Sequence, residues 1–254
     1  MKRTKKIALI IATVALMAVC FVFGASAERT IVASGNCGAD GDNIKWELYD
    51  NGDLVFVGEG DMWDYKRKPH ETTAPTKPKD ESSPWISMNV KRVLFSDKIT
   101  HIGNYSFDKM KTIEEVKFPT ALNSIGTSAF NECINLKELN FPEELTVIGS
   151  SAFCGIDSLI KIDFPENLQE IGSFAFCRSM KNIKSIRIPE NAKKIGGSAF
   201  YSYDTDALES IIIESRFEVS DYTWIFPSCP SKCSIYFVFS EEELYCFFRQ
   251  YYLE

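Results

Sequence analysis

Histidine is almost missing from this chain: only His70 and His101 occur in 254 residues. Neither has a nucleophile close by in sequence, which argues against a Ser-His-Asp or Cys-His site. Metal ligands are short as well. Cys229, Cys233 and Cys246 could offer three zinc ligands, and no fourth accompanies them. The acidic turns Asp40-Gly41-Asp42-Asn43 and Asp50-Asn51-Gly52-Asp53 lack the spacing of a calcium loop and read as Asx-rich turns. No cofactor or metal is therefore expected. Positive charge is scarce too, with 28 Lys plus Arg against 35 Asp plus Glu and a net of −7. That balance gives no general attraction for nucleic acid or anionic lipid.

Only one long apolar run is present, Ile7 to Phe23. It follows the basic start MKRTKK and precedes Gly24-Ala25-Ser26-Ala27, the three parts of a secretory signal peptide with cleavage after Ala27. The alternative is an uncleaved anchor. Cys20 would serve a lipoprotein signal, but Val19 before it is larger than such signals usually allow. Losing Lys2, Arg3, Lys5 and Lys6 leaves 24 Lys plus Arg against 35 acids, a net of −11. With no second apolar span, no stable membrane span is expected after signal removal, and the product should be secreted or held at the cell surface. Seven cysteines would remain, an odd number without a disulfide framework. Cys229 and Cys233 form the best short-loop pair. Cys154 and Cys177 hold equivalent places on parallel rungs and are expected to stay reduced.

What the chain has in abundance is repetition. Ile-Gly-x-x-(Ala/Ser)-Phe occurs five times, ending at Phe107, Phe130, Phe153, Phe176 and Phe200, with gaps of 23, 23, 23 and 24 residues. The same step links Phe118, Phe141, Phe164 and Ile188, each followed by proline, and also Val93, Val116, Leu139, Ile162, Ile186 and Ile211. Three position classes in one register define a solenoid. Within a unit, Val116 and Phe118 alternate with Glu115 and Lys117, the period of a half-buried strand. Pro119 ends that strand, because it lacks an N–H and fixes its own φ. The glycine of the phrase suits a tight position or one of positive φ. Ala leaves room and Phe fills it, so the five phenylalanines should bury in a column, each worth about 3–5 kcal/mol against alanine.

The unit LKELNFPEELTVIGSSAFCG (136–155) resembles the BspA-like leucine-rich repeat, and the likeness runs over residues 90–215. The first unit departs, with Ser96 for the proline and Ser106 for the alanine. The resemblance implies a secreted or surface interaction module of a bacterium, in a family associated with adhesion. It also implies that Cys133 sits where such repeats often carry cysteine. SGNCGADGDNIKWELYDNGDLVFVGEGDMWDY followed by SPW is similar to the module that often precedes these repeats.

The expected fold is mainly β: a leucine-rich-repeat solenoid of about six 23-residue turns with an N-terminal β cap and a C-terminal strand-helix cap. The expected divisions are a signal peptide at 1–27, an N-terminal β module at 28–89, repeats at 90–215 and a C-terminal cap at 216–254. Asn51-Gly52 between alternating apolar residues signals a hairpin. Residues 65–84 hold four prolines and no Ile, Leu, Val or Phe, and read as a mobile polar excursion. SIYFVF (234–239) reads as a strand. After it, Ser240 with Glu243 forms a capping box for a terminal helix whose Leu244, Phe247, Phe248 and Tyr251 share one face.

With chemistry so thinly represented, the outer face of the strand ladder is the candidate site. One outward column is Arg92, Glu115, Glu138, Lys161, Ser185 and Ser210; the other is Leu94, Lys117, Asn140, Asp163, Arg187 and Ile212. The residues taken as the binding strip are Arg92, Glu115, Lys117, Glu138, Asn140, Lys161, Asp163 and Arg187. Glu138 with Lys161 and Asp163 with Arg187 are expected as cross-strand pairs, worth about 0.2–1 kcal/mol each. The function expected is non-enzymatic binding of an extracellular protein or glycan, with no catalytic residue. The alternatives are a hydrolase with an unrecognised carboxylate pair and a purely structural spacer.

Overall fold

A computed structural model describes residues 29–66, 82–215 and 233–238. Among them every regular element is a strand. The leader-like segment, most of the proline-rich excursion, Cys229 of the expected Cys229–Cys233 pair and the terminal helix expected after residue 239 lie outside the described residues.

The chain begins with β1 Ile31–Gly38, β2 Gly41–Tyr49 and β3 Asp53–Gly58, an antiparallel meander. The hairpin expected at Asn51-Gly52 joins β2 to β3. Gly52 takes φ 86°, and Asn51 Oδ1 accepts the Asp53 N–H at 3.1 Å. This meander is not a separate sheet. β3 pairs in parallel with the first repeat strand, Leu54 beside Val93.

The repeats supply two strand series. The first is β5 Arg92–Phe95, β7 Glu115–Lys117, β9 Glu138–Asn140, β11 Lys161–Asp163, β13 Ser185–Ile188 and β15 Ser210–Ile213. These are the six rungs read from the Val93 to Ile211 series. β16 Ser234–Phe237 adds a parallel rung after β15. The second series is β4 Gly60–Asp61, β6 Ile99–Ile102, β8 Ser124–Ile125, β10 Val147–Ile148, β12 Glu170–Ile171 and β14 Lys194–Ile195, which form one continuous sheet. Proline closes β7, β9, β11 and β13 as its missing N–H requires, and the next residues turn the coil: Leu122 N–H donates to Pro119 O, Leu145 to Pro142 O and Leu168 to Pro165 O.

A third ladder, without strand geometry, runs through the Ile-Gly-x-x-Ala-Phe phrases. N–H groups of one coil donate to the next coil's carbonyls: Phe107 to Ala129, Phe130 to Ala152, Phe153 to Ala175, and Phe176 to Ala199, at 2.7–2.8 Å. Left-handed residues make this possible. Tyr105, Ser128, Ser151, Phe174 and Ser198 have φ of 53–59°, and Lys109, Glu132, Gly155 and Arg178 form a second such series. A left-handed non-glycine residue costs about 1–2 kcal/mol, which the recurring inter-coil bonds offset. The phrase glycine itself does not carry the positive φ; its constraint is closeness. A Cβ on Gly149 would lie 2.7 Å from the Gly126 carbonyl carbon and the Thr127 nitrogen, and one on Gly172 2.4 Å from the Ser150 nitrogen.

The core is a double aromatic spine. Phe107, Phe130, Phe153, Phe176 and Phe200 are buried, with ring centroids 4.9, 5.4, 5.4 and 5.5 Å apart along the axis. Phe118, Phe141 and Phe164 stack beside them and meet them edge-on, Phe141 to Phe153 at 5.4 Å. At the start of the spine, Trp85 is fully buried among Trp46, Phe56, Tyr65 and Phe107, and its Nε1–H donates to Ser106 O at 2.8 Å. The meander and the repeats therefore share one core. Tyr65, at the near end of the proline-rich excursion, is fixed against Trp85 rather than solvated, and burial pushes its phenol well above the usual range.

Candidate functional site

Side chains that leave the core from the first strand series form the two columns read from the sequence. The pairing register confirms their alignment: Arg92 beside Glu115, Lys161 beside Glu138, Ser185 beside Ser210. The structure extends them at both ends. Asp53 precedes Arg92, and Ser234 follows Ser210; Val55 precedes Leu94, and Tyr236 follows Ile212.

The ends of the strip differ from expectation. Arg92 is committed to the fold. Its Nε and Nη2 bond Asp53 at 2.6 and 2.8 Å, and Arg29 joins the same carboxylate at 2.7 Å. The Asp53 side chain is fully buried, so these partners satisfy a charge that could not stand alone. Leu94 and Val55 are buried rather than solvated. At the other end, Arg187 does not pair with Asp163. It holds Glu166 at 2.7 Å and clamps Glu214 through two nitrogens, and these hydrogen bonds raise its guanidinium further. The physical reason lies one coil earlier. Lys161 takes Asp163 along its own strand at 2.5 Å, so neither expected cross-strand pair is the contact formed. That hydrogen bond also raises the Lys161 ammonium.

The middle of the strip is open. Glu115, Lys117, Glu138 and Asn140 are all exposed and together line a hollow of about 1040 Å³ with Asn135 and Ser158 at its margin. Lys117 approaches Glu115 at 3.8 Å. Two of the margin groups also tie coils together: Asn135 Nδ2 donates to Lys111 O and Ser158 Oγ to Leu136 O, both at 2.8 Å. The four central residues thus stand on a backbone fixed from both sides.

Sequence reasoning missed a second cluster. His101 is half-buried, with Nδ1 2.7 Å from Ser124 Oγ and Nε2 3.3 Å from Asp64 Oδ1. The three line a cleft of about 470 Å³ with Trp63. The signal was available in part, since His101 and Ser124 occupy the same slot of successive repeats; Asp64 comes from outside the periodic segment. An acyl-transfer site also needs N–H groups aimed at a developing oxyanion. Along this rim the N–H groups of Met62, Trp63 and Tyr65 are already given to His101 O, Cys37 O and Asn104 O, and that of Asn104 to Asp64 itself.

Cysteine chemistry divides by position. Cys37 and Cys133 are buried; burial pushes Cys37 up to about 12 and Cys133 higher still. Cys133 Sγ donates to Phe107 O at 3.3 Å, and Ser179, in the equivalent slot two coils on, gives the same bond to Phe153 O at 2.7 Å. The coils before and between place Met110 and Ile156, both buried, in the same slot, so Cys133 and Ser179 fill it with a donor where the others fill it with an apolar side chain. Cys154 and Cys177 are unbridged, as expected from parallel rungs.

The stacked coils, paired ladders and internal aromatic spine define a leucine-rich-repeat solenoid. The BspA type leucine-rich repeat region model matches residues 85–206 and 178–248 in six copies, and the chain belongs to that family. Among solved structures, a leucine-rich repeat protein from Eubacterium ventriosum is 28% identical, with 72% of this chain covered and a TM-score of 0.56; this chain spans 44% of that protein's length. A leucine-rich cell surface protein from Faecalibacterium prausnitzii is 17% identical, covering 76% of this chain and 56% of its own, with a TM-score of 0.43. The pneumococcal vaccine antigen PcpA is 17% identical, covering 73% of this chain and 51% of its own, with a TM-score of 0.45. No curated protein matches the chain.

Proposed function

We propose that this chain is an exported, non-enzymatic interaction module that takes a protein or glycan partner, such as an adhesion ligand, on the outer face of its first strand series. The observation that carries the reading is the hollow of about 1040 Å³ in which Glu115, Lys117, Glu138 and Asn140 converge. Solenoid faces serve as extended recognition surfaces because the backbone beneath them is fixed. The mixture of two carboxylates, an ammonium and an amide suits a polar partner read by hydrogen bonds. The basic start and apolar run at residues 1–27 support export to the cell surface or beyond, and the net charge of −7 speaks against nucleic acid. The test is an array of extracellular matrix proteins and glycans probed with the full chain and with a Lys117→Glu/Glu138→Lys variant. We expect at least one spot that the wild type binds and the variant loses by tenfold or more. Silence on both arrays, or binding indifferent to the double substitution, overturns the reading.

A second reading, a serine hydrolase, has one observation in its favour, the contact of Ser124 and Asp64 with the two nitrogens of His101. The engaged N–H groups along that rim weigh against it. A fluorophosphonate probe decides: covalent labelling of Ser124 that His101→Ala abolishes would replace the binder with an enzyme.

A further inference from the structure

Asp61, Trp63, Asp64, His101 and Ser124 line a cleft of about 470 Å³ that belongs to the second strand series, not to the outer strip of the first. Its hydrogen-bonding capacity can be followed atom by atom. A carboxylate has no proton to give, so at the 3.3 Å contact His101 Nε2 donates and Asp64 Oδ1 accepts. In the neutral ring Nδ1 is then the acceptor, and the Ser124 hydroxyl donates to it at 2.7 Å. Asp64 Oδ1 also accepts the Asn104 N–H at 2.7 Å, and Asp61 Oδ1 accepts from Thr100 Oγ1 at 2.6 Å. One oxygen of each aspartate is thus fixed. The other has no partner among the described residues. The rim N–H groups of Met62, Trp63 and Asn104 are spent within the fold. A visitor to the cleft therefore meets lone pairs, on Asp61 Oδ2, Asp64 Oδ2 and Ser124 Oγ. No lysine or arginine lines it, and half-exposed Trp63 adds an apolar wall. Val147 takes the next place in the His101–Ser124 column, so the polar run stops there.

We propose that this cleft is a binding subsite for an uncharged pyranose ring of an oligosaccharide. Trp63 takes the C–H face of the ring. The free oxygens of Asp61 and Asp64 accept its hydroxyl protons in charge-assisted hydrogen bonds. Three observations select this ligand class. Acceptors without matching donors call for a ligand rich in donors, and a pyranose carries a hydroxyl on most of its carbons. Two carboxylates with no cation beside them repel an anion, which excludes sulfated and sialylated chains. A lone ammonium gains little from an exposed carboxylate, whereas a sugar ring reaches both aspartates and covers Trp63 in one pose. The volume lies within the range of about 300–1,000 Å³ that holds small ligands. His101 keeps the walls in register, because its two nitrogens tie Asp64, from before the repeats, to Ser124 of the second coil. This subsite is separate from the outer strip and does not rest on a partner binding there.

The full chain is titrated with maltotriose, mannotriose and N,N′,N″-triacetylchitotriose, and with a heparin trisaccharide and trilysine as charged controls, by calorimetry and saturation-transfer NMR. At least one neutral trisaccharide should bind, and more tightly than either control. Trp63→Ala and Asp61→Asn should each weaken that binding by about tenfold or more. Lys117→Glu/Glu138→Lys alters only the outer strip and should leave it unchanged, so failure of this proposal and failure of the outer-strip reading are told apart. Urea midpoints identify any variant that does not fold; Asp61 is exposed, so Asp61→Asn decides where Trp63→Ala unfolds. Silence across the neutral trisaccharides, tighter binding of trilysine, or an affinity indifferent to both cleft substitutions overturns the proposal. Release of new reducing ends would make the cleft catalytic and overturns it as well.

Discussion

Phe153→Ala tests the stacking logic most directly. Phe153 is fully buried at the middle of the spine. Its ring lies parallel to Phe130 at 5.4 Å and to Phe176 at 5.4 Å, and meets Phe141 edge-on at 5.4 Å and Phe118 at 6.5 Å. Removing the ring deletes transfer free energy and leaves a cavity that fixed coils cannot close, about 3–5 kcal/mol in well-packed cores. That range already contains the lost ring pairs, about 0.5–1.5 kcal/mol each beyond burial. The rigid ladder on both sides places the expected value near the upper end, about 4–5 kcal/mol. Phe118, only half-buried, is the internal control and should cost about half as much when truncated. Urea unfolding followed by far-UV dichroism gives both numbers from the midpoint and slope. Because stability in a solenoid resides in coil–coil interfaces, Phe153→Ala should also broaden the transition as the two halves decouple. A loss under about 1 kcal/mol at Phe153, or an equal loss at Phe118, would show that the rings do not carry the fold.

Three further expectations follow from single contacts. Gly149→Ala forces a methyl against the Gly126 and Thr127 backbone and should cost about 1–3 kcal/mol, whereas Gly197→Ala meets open space and should be nearly neutral by the same urea assay. Asp53→Ala removes the buried acceptor that Arg29 and Arg92 share and should cost about 1–3 kcal/mol, since both arginines reach solvent; Asp53→Asn should cost less, and equal midpoints for all three proteins would refute a structural role. The buried thiols of Cys37 and Cys133 titrate above their unfolded value because burial disfavours the thiolate. Their raised values mean a contribution fully present below about pH 9 that declines as the unfolded thiols ionise above it. The urea midpoint should therefore fall from pH 9 upward, and fall less in Cys133→Ala; a flat profile would contradict the burial.

The repeat itself was legible because periodic burial leaves a periodic record. A coil that cannot exclude water alone must present the same apolar set at each step, so Phe107 through Phe200 and Val93 through Ile211 announced both spine and rungs. The tightness of the phrase glycine was legible too, though the positive φ fell on Tyr105, Ser128 and their equivalents. Serine tolerates that conformation without being diagnostic of it, so no residue type marks the position. Aperiodic contacts were not legible. Asp53 with Arg92, Asp64 with His101, and Arg187 with Glu214 join groups 24 or more residues apart, or lie outside the register altogether. Column neighbours on paper compete with every other carboxylate in reach, and Lys161 chose Asp163 on its own strand over Glu138 on the next.

That choice bears on where a partner can dock. At the first rung Arg92 is spent on Asp53, and at the fifth Arg187 binds carboxylates from both adjoining coils, so charge there holds the solenoid together. On the rungs between, the ion pairs run along a strand instead: Lys117 with Glu115 at 3.8 Å and Lys161 with Asp163 at 2.5 Å. A partner lying across β7, β9 and β11 would meet ion pairs that run along a strand, Glu115 with Lys117 and Lys161 with Asp163. The consequence is measurable. Glu138→Lys reverses a charge at the centre of the hollow and should leave the urea midpoint within about 0.5 kcal/mol of wild type, while binding to any partner of this face changes tenfold or more. If Glu138→Lys instead destabilises the chain by more than about 1 kcal/mol, the strip belongs to the scaffold, and the recognition surface must be sought elsewhere.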